Sequence, residues 1–202
     1  MVNKGKVILS SEKKYEKRKT IAKSTCDLFI EKGYVNITIS EIAKVAGIGK
    51  GTIYEYFENK EDIVFELMAC LQESYDNTLY KKLEKSSLIQ EKVIFLFDIF
   101  LSDNPTVKVQ RKIYKEFLSI YIHNKTDSMK LYNEKMMDKY KNILEDIFKK
   151  SIEEKKLSKI SLEFIPSIFA TLQGFFIMEE NKNVMLDYLN NLFKVLEIKE
   201  TL

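Results

Sequence analysis

Residues Thr38 to Phe57 constrain the fold of this chain more tightly than any other stretch. Thr38 and Glu41 stand at the spacing of a capping box, which satisfies orphan amides and starts a helix. Ile39, Ile42, Ala43 and Ala46 then recur at helical spacing and give that helix one apolar face. Gly47 stops it, because glycine takes the left-handed backbone conformation that a helix end often needs. A second helix, Lys50 to Tyr56, follows after a few residues and keeps Ile53 as its inward residue. Its other positions, Lys50, Gly51, Thr52, Tyr54 and Tyr56, are cationic, small or hydroxyl-bearing. The pair reads as a helix-turn-helix whose second helix is chemically suited to a phosphate-lined major groove. Short helix pairs joined by a glycine also occur in proteins that bind no DNA, so the pattern alone leaves both readings open.

The surroundings favour the first. With two prolines and six glycines in 202 residues the chain is too poor in turn formers for an all-β or loop-rich fold, so the fold class expected is all-α. The net charge of +3 is unevenly spread: residues 1–60 carry 12 Lys/Arg against 7 Asp/Glu. A basic head on a slightly acidic remainder suits a polyanion at one end. Residues 1–10 read as a flexible basic tail and residues 11–58 as the helix-turn-helix domain. In that domain a first helix is expected over Ser11–Lys32, ended by Gly33. Residues 59–202 form the helical remainder, opened by Asn59 as N-cap of a long helix with Glu61 and Asp62 in its first turn.

Catalysis finds no foothold. One histidine, His123, and two distant cysteines, Cys26 and Cys70, do not make a zinc site of ordinary spacing. There is no phosphate-cradling glycine loop, and neither a metal nor a cofactor is expected. The cysteines read as buried, reduced thiols. The start lacks a signal-peptide core, and the longest apolar run, Val93–Leu101, is too short to cross a bilayer. The expectation is a soluble cytoplasmic protein with no membrane partner.

The order Arg18, Ile21, Ala22, Leu28-Phe29, Glu31-Lys32-Gly33-Tyr34, Thr38, Ile42-Ala43, Ala46-Gly47, Gly51-Thr52-Ile53-Tyr54, Tyr56-Phe57, Asn59-Lys60-Glu61 resembles the DNA-binding domain of the TetR family of bacterial transcription regulators. The resemblance covers roughly a quarter of the chain. It implies a three-helix head that binds double-stranded DNA and a helical effector-binding and dimerisation domain behind it. By that resemblance Thr38 and Lys60 contact phosphate, Tyr54 and Tyr56 meet the sugar-phosphate backbone, and Lys50, Gly51 and Thr52 approach base edges and nearby phosphates. Two positions depart from the family pattern. Gly49 stands where serine is frequent, so the second helix loses a side-chain cap. Glu55 puts an anion on the recognition helix, facing either a cytosine amino group or away from DNA.

In the remainder, Leu88–Leu101 is apolar nearly all round and is expected as a central helix. Further helices are expected over about 106–123, 128–155, 162–180 and 184–199. The resemblance implies an effector pocket among the middle helices, with Phe97, Asp98 and Phe100, then Tyr114, Phe117 and Tyr121, then Met136 and Tyr140 as candidates. Plain core packing is the competing account of the aromatic and Met positions. Asp98, if buried, needs a partner: it holds a cationic ligand, or it makes an inter-helix hydrogen bond or lies at an exposed edge. The last two helices are implied to pair with a second copy through Ala170, Gly174 and Phe175, and through the stripe Leu186, Leu189, Phe193 and Leu196. The function expected is a ligand-responsive regulator. It would act as a repressor, binding a palindromic operator as a homodimer and released by a largely apolar small molecule. A helical carrier of hydrophobic ligands, and an activator with the same head, are the alternatives.

Overall fold

A computed structural model describes residues 11–178 and 181–197. The expected basic tail, 1–10, lies outside the described residues, as do the last residues of the two final helices expected from the sequence. Eleven α-helices are described. They are α1 (Ser11–Ser24), α2 (Cys26–Lys32), α3 (Ile39–Val45), α4 (Lys50–Tyr56), α5 (Lys60–Lys85), α6 (Ile89–Leu96), α7 (Asp98–Leu101), α8 (Pro105–Asn124), α9 (Asp127–Glu153), α10 (Ile165–Ile177) and α11 (Lys182–Leu196). Short 3-10 turns cover Tyr34–Asn36 and Lys159–Phe164. The all-α expectation is met.

The chain divides into two compact units: residues 1–74 with 112–125, and residues 75–111 with 126–202. The sequence places a boundary at 58/59, where the helix-turn-helix ends. The structural division instead falls within α5, and the second half of α8 joins the first unit. Helices α5 and α8 are therefore the covalent connections that run unbroken from one unit into the other.

Two helices expected to be continuous are interrupted, each for a local reason. The helix over Ser11–Lys32 breaks at Thr25, whose side chain is fully buried. Thr25 Oγ1 and its own amide both bond Ala22 O, at 2.6 and 3.1 Å, and Ser24 Oγ bonds Ile21 O at 2.7 Å. Hydroxyls that donate three residues back compete with the helical ladder and tighten the turn. The helix over Leu88–Leu101 breaks at Phe97 (φ −104, ψ 14). There Tyr75 fills the gap: its hydroxyl donates to Phe95 O at 3.1 Å and accepts from the Ile99 amide at 3.2 Å. Arg111 donates to Ile99 O at 2.7 Å and Ser102 O at 2.5 Å, satisfying carbonyls at the end of α7. Tyr75→Phe should therefore destabilise the second unit by about 1–2 kcal/mol, the cost of a buried amide and carbonyl losing their shared partner. Urea unfolding checks it, and a change below about 0.5 kcal/mol would mean the break is held by packing alone.

The core of the first unit is built from Ile21, Phe29, Ile42, Ile53, Phe57, Ile63 and Phe117, and that of the second from Val93, Phe97, Phe148, Ile168, Leu172 and Leu196. By length and composition Lys159–Ile177 is long and apolar enough to cross a membrane, although Glu163 and Pro166 interrupt its apolar run. It is a 3-10 turn followed by α10, and directs Ile165, Ile168, Phe169, Leu172 and Phe176 into the core of the second unit.

Candidate nucleic-acid interface and the effector-domain residues

The local chemistry of the head follows the sequence closely. Thr38 Oγ1 accepts from the Glu41 amide at 3.3 Å, and Glu41 Oε2 accepts from the Thr38 amide at 2.9 Å, completing the capping box. Lys32 adds an ion pair to Glu41 at 2.5 Å. That ammonium, together with the Thr38 donors, pulls the Glu41 carboxyl down to about 2. Gly47 closes α3 with φ +65°, and α4 begins at Gly49 without a side-chain cap. Asn59 caps α5, its Oδ1 accepting from the Asp62 amide at 2.8 Å.

Helix α4 is anchored by two residues, Ile53 and its C-cap neighbour Phe57, both buried. Arg18 of α1 holds the other side of that anchor. Its guanidinium lies 4.4 Å from the centre of the Phe57 ring, pairs with Glu66 at 2.9 Å and donates to Tyr56 O at the C-terminal end of α4. Lys50, Gly51, Tyr54 and Glu55 are exposed, Thr52 and Tyr56 half-buried, and Thr38 exposed at the start of α3. Gly51 faces open space, with nothing near an added Cβ.

Lys60 is placed differently from the phosphate contact that the resemblance implies. Its ammonium donates to Tyr34 O at 2.6 Å, Ile37 O at 2.7 Å and Val35 O at 3.5 Å, and sits 4.3 Å over the Tyr34 ring. All three of its donors are directed at the 3-10 turn that leads into Thr38. Lys60→Met should lower the stability of the first unit by about 1–2 kcal/mol. If Lys60 were instead a phosphate ligand, the substitution would leave stability alone and reduce the salt slope of DNA binding by about one. Melting and a salt titration of the variant separate the two.

Glu116 on α8 is a partner 82 residues away in sequence, to which no local signal points. Its Oε2 accepts the Tyr34 amide at 3.0 Å, and Tyr34 in turn donates its hydroxyl to Glu61. Burial and the Glu61 carboxylate raise the Tyr34 phenol well above its ordinary range, so it remains a donor at any physiological pH.

The sequence pattern of the tetR family of bacterial regulatory proteins matches residues 21–67, the span that holds α3, α4 and the start of α5. Over residues 21–67 the chain matches the TetR family. The uncharacterized HTH-type transcriptional regulator YhgD of Bacillus subtilis is 30% identical over 101 residues, 50% of this chain and 53% of that protein. The HTH-type transcriptional regulator QacR of Staphylococcus aureus is 27% identical over 123 residues, 61% of this chain and 64% of its own length. The chain thus spans roughly half to two thirds of the length of these two relatives, both named as transcriptional regulators. A solved TetR-family regulator from Cytophaga hutchinsonii shares the fold, with a TM-score of 0.74 at 19% identity, over 93% of this chain and 98% of that one.

The expected effector residues divide between the units. Tyr114, Phe117 and Tyr121 stack along α8 in the first unit, with centroids 6.3 and 5.8 Å apart. Phe97 and Phe100 lie in the second, against Phe169 and Phe176 respectively, each at 4.9 Å. Met136 and Tyr140 are buried on α9. The Tyr140 hydroxyl donates to Asp76 at 2.7 Å, and Lys139 pairs with the same carboxylate at 2.5 Å. Burial, then the Asp76 charge, raises the Tyr140 phenol. Asp98 has an inter-helix partner: Lys82 of α5 pairs with it at 2.8 Å. His123 sits at the end of α8, its Nδ1 2.8 Å from Ser119 O.

The stripe expected to meet a second copy needs correction. Leu189, Phe193 and Leu196 are buried within the chain's own second unit, and Leu186 is half-buried. A side chain already removed from solvent offers no surface to a partner, so the stripe is the inward face of α11. Ala170 is exposed, Gly174 has open space before it, and Phe175 is half-buried, edge-on to Tyr188 at 5.9 Å. Among the described residues, the exposed large apolar side chains on these helices and at their ends are Ile177, Met178, Val184 and Val195.

Proposed function

We propose that this protein is a ligand-responsive transcriptional repressor. It binds a palindromic operator as a homodimer and is released by a largely apolar small molecule. The observation that carries the reading is the division of labour on α4: Ile53 and Phe57 anchor it, while Lys50, Gly51, Tyr54 and Glu55 are exposed. Thr38, Lys50, Thr52, Tyr54 and Tyr56 supply donors for phosphates and bases, and Gly51 lets the backbone approach. Lys60 acts by positioning the turn before Thr38. Dimerisation uses the exposed side of α10 and α11, where Ala170, Gly174, Ile177, Met178 and Val195 leave apolar surface for a second copy. Two heads then read half-sites about 34–36 Å apart.

Release requires a difference in effector affinity between two conformers, about 5.5 kcal/mol to move a population from 1:99 to 99:1. Helices α5 and α8, continuous from the second unit into the first, are the elements able to carry such a difference. Selection of binding sites from random duplexes by the purified protein tests the reading. An enriched inverted repeat whose affinity falls steeply with salt supports it. Folded protein that enriches nothing at moderate salt would leave the helical carrier of hydrophobic ligands as the better account.

A further inference from the structure

The outermost side chain of α4 is an acid. With about 100° between successive residues of a helix, the buried Ile53 and Phe57 fix the inward direction of α4. Glu55 then points directly away from the protein, and Gly51 lies about 40° to one side of it, one turn earlier. Tyr54 and Tyr56 fall about 100° to either side of Glu55, and Lys50 lies further round still, near the inward side. Glu55 is exposed and makes no hydrogen bond or ion pair among the described residues.

We infer that Glu55 is the side chain that reads a base at the centre of the contact, by accepting a hydrogen bond from cytosine N4. The inference rests on the DNA-binding reading and assigns the direct readout within it. A helix lying in a major groove meets base edges with its N-terminal residues and with the face turned to the groove floor, and its flanks meet the two phosphate walls. On α4 the flanks carry the tyrosine hydroxyls, which suit phosphates, and the outward face carries a carboxylate over a glycine. An ionised carboxylate only accepts, and among base edges of the major groove cytosine offers an amino donor without a neighbouring acceptor. Guanine and thymine present O6 or O4 to it, so both are rejected. Adenine presents N7 beside its amino group, so it is disfavoured. Gly51, with open space where a Cβ would stand, lets the backbone settle close enough for Glu55 to reach. Lys50, on the inward-turned flank, serves a phosphate.

The test compares sites selected from random duplexes by the wild type, Glu55→Gln and Glu55→Ala, with thermal unfolding of each. An exposed, unpaired side chain predicts unchanged unfolding. The wild-type half-site should hold one position restricted to C·G, with other bases there bound about 5- to 150-fold more weakly. Glu55→Gln should move that single position toward A·T, since an amide pairs with adenine N6 and N7, and Glu55→Ala should erase the preference there alone. Removal of the anion should also tighten binding to unrelated duplex. Identical selected sites for wild type and both variants would overturn the inference while the DNA-binding reading stood. A wild type that selects nothing would remove that reading and the inference with it.

Discussion

Gly33→Ala is expected to destabilise the first unit by about 3 kcal/mol, through two separable causes. Gly33 joins α2 to the 3-10 turn with φ 71° and ψ 157°, a backbone region essentially reserved for glycine. Forcing a side chain into it costs about 1–3 kcal/mol. An added Cβ would also stand 3.2 Å from Glu116 Oε1, and the other oxygen of that carboxylate holds the Tyr34 amide. The carboxylate has to shift by about a few tenths of an ångström, which weakens its bond from the Tyr34 amide at a cost of up to about 1 kcal/mol. A double-mutant cycle with Glu116→Ala apportions the terms. If backbone conformation dominates, the alanine penalty persists in the Glu116→Ala background. If the close approach dominates, most of it vanishes. A Gly33→Ala protein that unfolds at the wild-type urea midpoint would refute both.

Arg18→Ala should cost a similar amount, about 3 kcal/mol. Its guanidinium pairs with a Glu66 side chain that is only 11% exposed, covers the Phe57 ring and donates to the last carbonyl of α4. Truncation leaves Glu66 shielded without its cation, uncovers an aromatic ring and frees the end of the candidate recognition helix. Lysine in its place keeps the charge but lacks the planar fork that reaches carboxylate, ring and carbonyl together, so Arg18→Lys should recover less than half of the loss. Equilibrium unfolding gives the stabilities. DNA affinity should fall more in Arg18→Ala than dilution by unfolded protein explains, because α4 loses its C-terminal tether. Full stability in the alanine variant, or full rescue by lysine, would show that Arg18 contributes only a screened surface charge.

What the sequence reveals and what it hides separate along a physical line. Thr38 with Glu41, Gly47 and Asn59 are local signals whose partners lie within a turn, and each appears in the structure where the sequence puts it. The interruption at Phe97 is different. The segment Leu88–Leu101 contains no proline or glycine, and what stabilises its break is Tyr75 and Arg111, remote in sequence. The split at Thr25 was open to inspection, since consecutive Ser and Thr can bond back to the preceding turn, but helical periodicity runs through it. In α11 the stripe of Leu189, Phe193 and Leu196 is legible as apolar. Periodicity identifies the face to be buried and not which molecule buries it, and here the chain's own core does. Lys60 shows the same boundary for charge: the sequence supplies a cation, while three backbone carbonyls decide where it is used.

The outward face of α4 has a consequence for how this protein diverges from its relatives. Ile53 and Phe57 carry the packing, Gly51 has open space where a side chain would stand, and Glu55 is exposed with no hydrogen bond or ion pair among the described residues. Mutations at these outer positions leave the folded population intact, so a lineage can drift from one target sequence to another through intermediates that all fold. Gene duplicates would then part company first on this surface, while Arg18, Gly33 and the Thr38–Glu41 cap stay under the purifying pressure of stability. Retargeting by laboratory evolution should accept almost any side chain at position 55 and almost none at position 33.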